Sequence, residues 1–420
     1  MKEPQLHRKS GSQTMSFHFH GLQSLCNVLD WPAFGRHCTA CPELRQFFMC
    51  TLAAFGLLSG CKDIEEPSLL TALITGGHDR IGIVSSDLSS SGRFSLMTLD
   101  GIPQANSVNI HSDAALRYAN GKVYIINRLN RDNIQVLNPD LLFATEREFS
   151  VGIGSNPHDI ALVNDSLAYI PLYERSYLQI ANPAANALAG TIDLATWADA
   201  DGLPEMSSVH VEDYRLYVTL QRLNRNASSG IFPPADYSVL LEIDTRSNQV
   251  IAAWPTPWPN PFSKLRRSNF FGQAHLILTL PARLGAQGEL DGGIAAFNLV
   301  TRSFRAAPLY LESIAGGDIL DAVIKNDTTG YAIVLFRDNS SALQRFNPTT
   351  GSLDAVLQYL PANYGFVAGL ELAPNGYLVV AQSDPSNPGI MLYDTNAGDR
   401  RLTPLPVAIG LRPTDLVYLP

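Results

Sequence analysis

Cysteine is absent from most of this chain. All five cysteines lie in the first 61 residues, at Cys26, Cys38, Cys41, Cys50 and Cys61. From Lys62 onward the chain therefore contains no disulfide and no thiolate metal site, and a large domain with its own core does not need them. The Cys38–Cys41 spacing fits a redox or zinc pair, but neither a second pair nor a strand accompanies it. We expect no cofactor and no metal site.

An excess of positive charge and the common enzyme motifs are also absent. The 30 Lys and Arg residues are outnumbered by 39 Asp and Glu, for a net charge of −9. A nucleic-acid partner requires a basic face, so we expect none. The sequence has no G-x-S-x-G elbow, no H-E-x-x-H helix and no P-loop. These absences favour a binding protein over an enzyme.

The longest uncharged hydrophobic run is short. Residues 47–60 read FFMCTLAAFGLLSG, fourteen residues that follow Arg45. A membrane-spanning helix needs about 20 apolar residues, whereas a signal-peptide core is shorter. The run ends in Leu-Ser-Gly before Cys61, which resembles the bacterial lipobox. The alternative is a buried core helix that ends in Gly-Cys.

The lipobox resemblance implies how the chain is processed and where it is located. Residues 1–60 would be an N-terminal extension and signal peptide that is removed. Residues 61–66 would be the lipidated Cys61 and a polar tether to the membrane. Lys62 does not resemble the aspartate that retains lipoproteins in the inner membrane. We therefore expect a lipid anchor in the bacterial outer membrane, with the domain on its periplasmic or cell-surface side.

Sets of short strands repeat along residues 67–420. Apolar runs alternate with clusters of Asn, Asp, Gly and Pro, which is typical of strands and turns. The sets recur about every 45–55 residues, the period of propeller blades. Residues 112–152 and 156–195 each offer four strands, and four further sets follow up to residue 406.

The two ends of the repeat region complement each other. ALITGG, RIGIVSS and FSLMTL, at residues 72–99, offer three strands without an inner one. Residues 412–418 offer an inner strand with no blade behind it. Closing a ring in this way removes exposed sheet edges. The sequence thus predicts an all-β, seven-bladed β-propeller that is closed by the C-terminal strand and preceded by a lipoprotein signal segment.

The repeats resemble a known family. The inner strands NPHDIAL and RPTDLVY, with turns such as NPTTG, resemble those of YVTN/YncE-type propellers over nearly all of residues 67–420. The resemblance implies the fold but not the function, since propellers host unrelated activities. Cobalamin-capturing surface lipoproteins of gut bacteria are similar in architecture. Lactonases and the β-subunits of some amine dehydrogenases are also similar.

The first candidate site is a ring of polar residues at the channel mouth. In a four-stranded blade, inner strands start on the face that also carries the loops between second and third strands. Side chains expected there are Asp113, His158, Asp159, Asp318 and Asp415. They could hold a cation or a polar ligand. Alternatively, each Asp accepts backbone N–H groups of the neighbouring blade and has a structural role.

The second candidate site lies between two long loops on the same face. Residues 221–237 and 281–293 are the longest connections between second and third strands. We expect an anionic or ring-bearing ligand to be bound there by arginine and aromatic side chains. These side chains are Arg222, Arg225, Phe232, Tyr237, Arg266 and Arg267. The alternative is an ordinary solvated insertion.

Three functions remain open at this point. The first is an envelope-anchored lipoprotein that binds a small molecule on its top face. The second is a scaffold or adhesion propeller that binds an envelope protein. The third is a lactonase-like hydrolase, for which His158, Glu205 and Arg412 are the candidate residues. A cluster of these three side chains would favour the hydrolase.

Overall fold

Seven antiparallel sheets, arranged as the blades of a propeller, make up the described part of the chain. The computed structural model describes residues 79–226, 233–284, 289–362 and 367–420. The predicted all-β, seven-bladed fold is confirmed. Cys61, the signal segment and the ALITGG segment lie outside the described residues, as does Phe232. In the described ranges no helix is long and apolar enough to cross a membrane.

Blades 1 to 3 contain the following strands, from the inner to the outer strand of each blade. Blade 1 consists of β29 (Arg412–Leu419), β1 (Arg80–Ser86), β2 (Gly92–Thr98) and β3 (Pro103–Ile110). Blade 2 consists of β4 (Ala114–Ala119), β5 (Lys122–Asn127), β6 (Asn133–Asn138) and β7 (Ala144–Ser150). Blade 3 consists of β8 (Ala161–Asn164), β9 (Leu167–Ile170), β10 (Tyr177–Asn182) and β11 (Ala187–Asp193).

Blades 4 to 7 follow the same order. Blade 4 consists of β12 (Met206–Glu212), β13 (Arg215–Leu220), β14 (Val239–Asp244) and β15 (Gln249–Pro255). Blade 5 consists of β16 (Arg266–Phe270), β17 (Gln273–Leu280), β18 (Gly293–Asn298) and β19 (Ser303–Phe304), with β20 (Tyr310–Leu311) also paired to β18. Blade 6 consists of β21 (Asp318–Asn326), β22 (Thr329–Leu335), β23 (Ser341–Asn347) and β24 (Ser352–Leu360). Blade 7 consists of β25 (Val367–Leu372), β26 (Tyr377–Gln382), β27 (Gly389–Asp394) and β28 (Arg400–Arg401).

Within the described ranges, helical structure is confined to single turns in connections. The short α-helix α1 (Glu312–Ala315) precedes β21. The 3-10 turns are Pro139–Leu141, Pro183–Ala185, Ala195–Trp197 and Thr395–Ala397. Two of them begin with Asn-Pro: the Asn side chain accepts a backbone N–H inside the turn, and the proline fixes φ at its first position. The Asn-Pro dipeptides that suggested turns in the sequence therefore end third strands in the fold.

The hydrophobic core lies between blades. Each of the seven core clusters joins side chains of two neighbouring blades. Because both faces of a blade are covered, the middle strands are apolar almost without alternation: β26 is buried at every position after Tyr377. The outer strand β15 is covered on one face only and has no fully buried residue. This explains why middle strands were the clearest signal in the sequence.

The C-terminal strand closes the ring as predicted, and blade 1 contains an outer strand that was not predicted. β29 pairs with β1, and the inner strands of neighbouring blades contact one another around the channel. The strand that pairs with the outer side of β2 is Pro103–Ile110, which was not proposed from the sequence. Its sequence, PQANSVNI, starts with proline and is rich in polar residues, so it resembles a loop. An outer strand tolerates such a sequence because its free edge needs no donors and faces solvent.

Candidate functional site

A cavity of about 640 Å³ lies at the mouth of the channel, on the face where inner strands begin. This volume is within the range of small-molecule sites, roughly 300–1,000 Å³. We call it the upper cavity. All seven blades contribute lining residues, at inner-strand starts and at connections such as the one that contains Leu88. Both loops singled out in the sequence reach it, through Leu223 and Leu284.

One half of the upper cavity, from blades 2 and 3, is polar. The His158 ring stacks on Tyr173, with centroids 4.1 Å apart and planes 10° apart. Burial, together with the positive charge of Arg128, holds the pKa of His158 well below its usual range, so the imidazole is neutral. In the described part of the chain neither ring nitrogen has a hydrogen-bond partner. A neutral imidazole of this kind can accept a hydrogen bond from a ligand.

Asp113 provides a second acceptor beside His158. Its Oδ1 is paired with the Arg128 guanidinium. Its Oδ2 has no protein donor among the residues that the structure describes, and the side chain is 30% exposed. Because Arg128 also lowers the pKa of His158, the three side chains form one group on this wall.

The facing half, from blades 5 to 7, carries most of the apolar lining. Its apolar residues are Phe262, Leu284, Leu320, Val367 and Ala368, and the polar residues of the same blades, such as Ser263, Lys264 and Asp321, line it as well. Phe262 is partly exposed toward solvent, at 41%. A ligand that fills the cavity would therefore contact hydrocarbon on one side and hydrogen-bond acceptors on the other.

The floor of the upper cavity is a set of links between inner strands. Asp159 accepts N–H groups from Ile160, at 2.8 Å, and from Val209 of the next blade, at 3.0 Å. Asp415 bonds in the same way to Leu416 and to Leu116 of blade 2, each at 2.9 Å.

Asp321 bonds to Ala322 of its own strand and to Leu370 of the next blade. In blade 4 the Ser208 hydroxyl accepts the N–H of Leu265, at 2.8 Å. These contacts define one equivalent position per blade, which we call the link position. It is occupied by Ala115, Asp159, Ser208, Lys264, Asp321, Gly369 and Asp415.

Buried cations complete the floor. Side chains alternate along a strand, so the residue two places after a link position also faces the channel, at a lower level. In blade 2 this residue is Arg117, whose Nε and Nη2 bond Asp159 of blade 3 at 2.6 and 2.5 Å. In blade 5 it is Arg266, which bonds Asp321 of blade 6, at 2.9 and 3.2 Å. The third pair joins Lys264 to Asp415.

In each of these three ion pairs the carboxylate faces the upper cavity. The carboxylates of Asp159, Asp321 and Asp415 line the upper cavity and not the lower one. Arg117 and Arg266 line only the lower cavity, and Lys264 lines both. The upper cavity is therefore bordered by four carboxylates, including Asp113, but by only two cationic side chains, Arg128 and Lys264.

The aspartates proposed from the sequence occupy three different levels. Asp159 and Asp415 are at link positions, and Asp113 lies two residues before one. Asp318 does not line the cavity, and Asp321 occupies the link position of blade 6 instead. The pairing of β21 with β22 shifts by one residue between Ile319 and Asp321. Counting from the start of the strand therefore selected the wrong aspartate.

The arginines proposed from the sequence are not brought together. Arg266 and Arg267 line the lower cavity, where Arg267 pairs with Glu212 at 2.9 Å. The sequence interpretation that placed them beside the loop arginines is wrong in this respect. Both arginines follow Lys264 in the chain and begin β16, so they lie further down the channel than Lys264, on the side of the lower cavity.

The loop arginines have partners within the protein. The Arg222 guanidinium lies over the Tyr237 ring, 4.2 Å from its centroid, and donates to the Tyr237 carbonyl at 2.9 Å. Arg225 bonds Glu174 at 2.5 Å and Glu205 at 2.9 Å. The Glu205 side chain is fully buried, and burial outweighs its hydrogen bonds and raises its pKa to about 8. These contacts fix the base of the blade 4 loop.

The residues considered for a hydrolase lie in separate places. His158 is in the polar wall, and Glu205 is hydrogen-bonded to Leu223 and Arg225. Arg412 belongs to blade 1, where its Nε donates to the Ser383 carbonyl at 2.8 Å. Across the described ranges, no group of three or more His, Cys, Asp or Glu side chains is placed to hold a metal ion.

Five residues that line the two cavities were not predicted from the sequence. They are Lys264, Arg117, Asp321, Arg128 and Tyr173. Link aspartates have a weak signal, since each is followed by two aliphatic or small residues, as in Asp-Ile-Ala, Asp-Ala-Val and Asp-Leu-Val. Such triplets also occur by chance in strands. A stronger signal would have been a cationic residue two places after the link position of the preceding blade. Arg117 stands in this position relative to Asp159, and Arg266 relative to Asp321.

Among the comparisons with known proteins, one solved structure supports the fold. No family model matches the sequence, and no curated protein matches it closely enough to count. Dihydro-heme d1 dehydrogenase NirN, solved in complex with DHE, is similar in structure, with a TM-score of 0.53 and 13% identity over 81% of this chain and 75% of that chain.

Two further solved structures are similar at 13% identity. Apo AztD from Citrobacter koseri has a TM-score of 0.48 over 81% of this chain and 98% of that chain. Kuenenia stuttgartiensis hydrazine synthase has a TM-score of 0.49 over 74% of this chain and 94% of that chain. At this level of identity, the likeness to NirN establishes the fold alone. The chain has the fold of a seven-bladed β-propeller.

Proposed function

We propose that this protein is a binding protein whose upper cavity takes a small organic cation, an amine or ammonium with an apolar body. One observation carries the proposal: two acceptors with free capacity, Asp113 Oδ2 and the neutral His158 imidazole, face a cavity whose opposite half carries most of its apolar lining. A protonated amine has the donors that these acceptors require. Its hydrocarbon part would be buried against Leu320 and Val367.

The charges around the cavity favour a cation over an anion. Asp159, Asp321 and Asp415 already accept hydrogen bonds at both oxygens, so they add negative potential without direct bonds to the ligand. Two of their partners, the guanidinium groups of Arg117 and Arg266, line only the lower cavity, whereas the Lys264 ammonium lines both cavities. In a partly enclosed site such charges are screened less than at the surface. An anionic ligand, which the sequence favoured for the site between the two long loops, would meet this excess of negative charge.

We also propose that the domain is held at the bacterial outer membrane by a lipid on Cys61. This part rests on the sequence of residues 47–61, which resembles a signal-peptide core and a lipobox. Membership of the YVTN/YncE-type propellers likewise rests on the inner-strand and turn motifs. A tethered propeller with an open cavity suits capture of a ligand from the surrounding medium.

The proposal is tested by calorimetric titration of the protein with matched small molecules. The series consists of alkyl amines and the alcohols and carboxylates of the same chain length. We expect the amines to bind best. Asp113→Asn and His158→Ala should weaken amine binding by roughly tenfold or more, which is the loss of one charge-assisted or one buried hydrogen bond.

Asp140→Asn is the matched control, because Asp140 is exposed in a turn between third and fourth strands. It should bind like wild type. Stronger binding of carboxylates than of amines would contradict the proposed ligand class. Wild-type affinity in well-folded Asp113→Asn and His158→Ala variants would contradict the proposed site.

A further inference from the structure

A second cavity lies below the floor of buried ion pairs. Its volume is about 310 Å³, at the lower end of the range for small-molecule sites. We call it the lower cavity. It is lined where inner strands end, at residues such as Tyr118, Ile324 and Val417, so it opens toward the other face of the propeller.

The charged lining of the lower cavity is mostly cationic. Four cations line it, Arg117, Lys264, Arg266 and Arg267, against one carboxylate, Glu371. Glu371 is bonded to Arg266 Nη1 at 2.9 Å. His210 also lines the cavity, and burial lowers its pKa, so it adds no positive charge near neutral pH. The sign of the excess charge is therefore opposite to that of the upper cavity.

Arg117 has free donors in this cavity. Its Nε and Nη2 are used by Asp159, and Nη2 also lies 3.3 Å from the Ser208 hydroxyl. Nη1 has no acceptor among the described residues, although the guanidinium is held rigidly by its other bonds. A fixed guanidinium with two unused N–H groups is the arrangement that recognises an oxyanion.

Arg267 is placed at the rim of the same cavity. Its Nε bonds Glu212 and its Nη1 donates to Asn269 at 3.1 Å. No acceptor for Nη2 is found within the described ranges. Its side chain is 40% exposed, so it can reach a ligand that enters from solvent.

We infer that the lower cavity is a second binding site, for a small oxyanion such as a phosphate or carboxylate group, held by Arg117 and Arg267. Asp159, Asp321 and Asp415, the aspartates paired with Arg117, Arg266 and Lys264, line the upper cavity, and Glu371 is the one carboxylate among the described residues that line the lower cavity. An anion below the layer is therefore closer to the guanidinium groups than to Asp159 or Asp321. This inference does not depend on the ligand proposed for the upper cavity.

The test uses inorganic phosphate and acetate as probes. Each is titrated into the protein at constant ionic strength set by chloride, with binding followed by calorimetry. We expect saturable binding of at least one probe to wild type. Arg117→Gln should weaken it by roughly tenfold or more, the loss of one charge-assisted contact. Arg267→Gln should weaken it as well.

Two variants keep the test decisive. Arg246→Gln removes a guanidinium that is paired with Asp244 on the outer surface, and it should bind like wild type. Arg267 is more exposed than Arg117 and bonds no link residue; its contact with another blade is the partly exposed ion pair with Glu212 of blade 4. Arg267→Gln therefore decides the result if Arg117→Gln does not fold. Absence of saturable binding of both probes would overturn the inference. Equal losses in Arg246→Gln and Arg267→Gln would also overturn it, because they indicate non-specific surface binding.

Discussion

Replacing Asp415 with asparagine tests whether the link residues hold the ring together. The Asp415 carboxylate accepts N–H groups from Leu416 of its own strand and Leu116 of blade 2. It also accepts the Lys264 ammonium at 2.6 Å, from blade 5 across the channel. A single side chain thus connects β29, the strand that closes the propeller, to two other blades.

The expected loss of stability follows from the buried lysine. Lys264 and Asp415 side chains are 19% and 16% exposed, so the pair is largely removed from solvent. Breaking such a pair by removing one partner typically costs about 3–5 kcal/mol, because the other charge stays buried. Asp415→Asn keeps the size of the side chain, so little of this cost comes from packing. We expect the free energy of unfolding at neutral pH to fall by about that amount.

The pH dependence identifies the cause. Burial lowers the pKa of Lys264, and Asp415 opposes that shift. Without the carboxylate the folded-state pKa of Lys264 falls further below its unfolded value. Stability then rises as the pH increases through the folded-state pKa, because the folded protein can release the proton while the unfolded chain retains it. The destabilisation of Asp415→Asn should therefore shrink at alkaline pH.

Urea denaturation of wild type and variant at several pH values measures both effects. Glu289→Gln is the control, since Glu289 and its partner Arg283 are both about half exposed. It should change stability by less than about 0.5 kcal/mol. An Asp415→Asn variant with wild-type stability at neutral pH would refute the reasoning.

Three further predictions follow from the same contacts. Deleting residues 413–420 removes most of β29 and exposes the edge of β1. The variant should therefore aggregate or lose cooperative unfolding in calorimetry, and melting at the wild-type temperature would contradict closure of the ring by β29. The pKa of Glu205 is raised from 4.5 to about 8 in the folded protein, so the stability of the wild type should fall as the pH rises from 4.5 to about 8. Glu205→Gln should reduce this pH dependence in urea titrations, and an unchanged pH dependence would contradict the prediction. Cys61→Ala should abolish palmitate labelling and release the protein from membranes, and unchanged labelling would contradict the anchor.

Much of the fold could be predicted from the sequence because blades repeat. The middle strands of blades 2, 4 and 7 are apolar on both faces, and Asn-Pro turns separate strands three and four. The outer strand of blade 1 was missed, since its free edge permits Pro103 and a polar sequence. Closure by the C-terminal strand was predictable because only one segment lacked a blade.

The candidate site was less predictable because it depends on depth in the channel. Asp113, Asp159 and Asp318 all occur near inner-strand starts, yet only Asp159 is at a link position. In β21 the link position is Asp321, three residues after Asp318 at the start of the strand, and the pairing with β22 becomes irregular between them. Sequence spacing also cannot show that Arg117 and Asp159, 42 residues apart, form a buried pair. Pairings across blades become visible only in three dimensions.

The central claim is that the upper cavity holds a small organic cation through Asp113 and His158. Native mass spectrometry of the full-length protein, purified from its own membrane, tests this most directly. We expect an added mass on the wild-type protein, identified by fragmentation as an amine or ammonium, and its loss in the Asp113→Asn/His158→Ala double variant. A wild-type protein without added mass, an adduct that is an acid, or an adduct that persists in the double variant would contradict it.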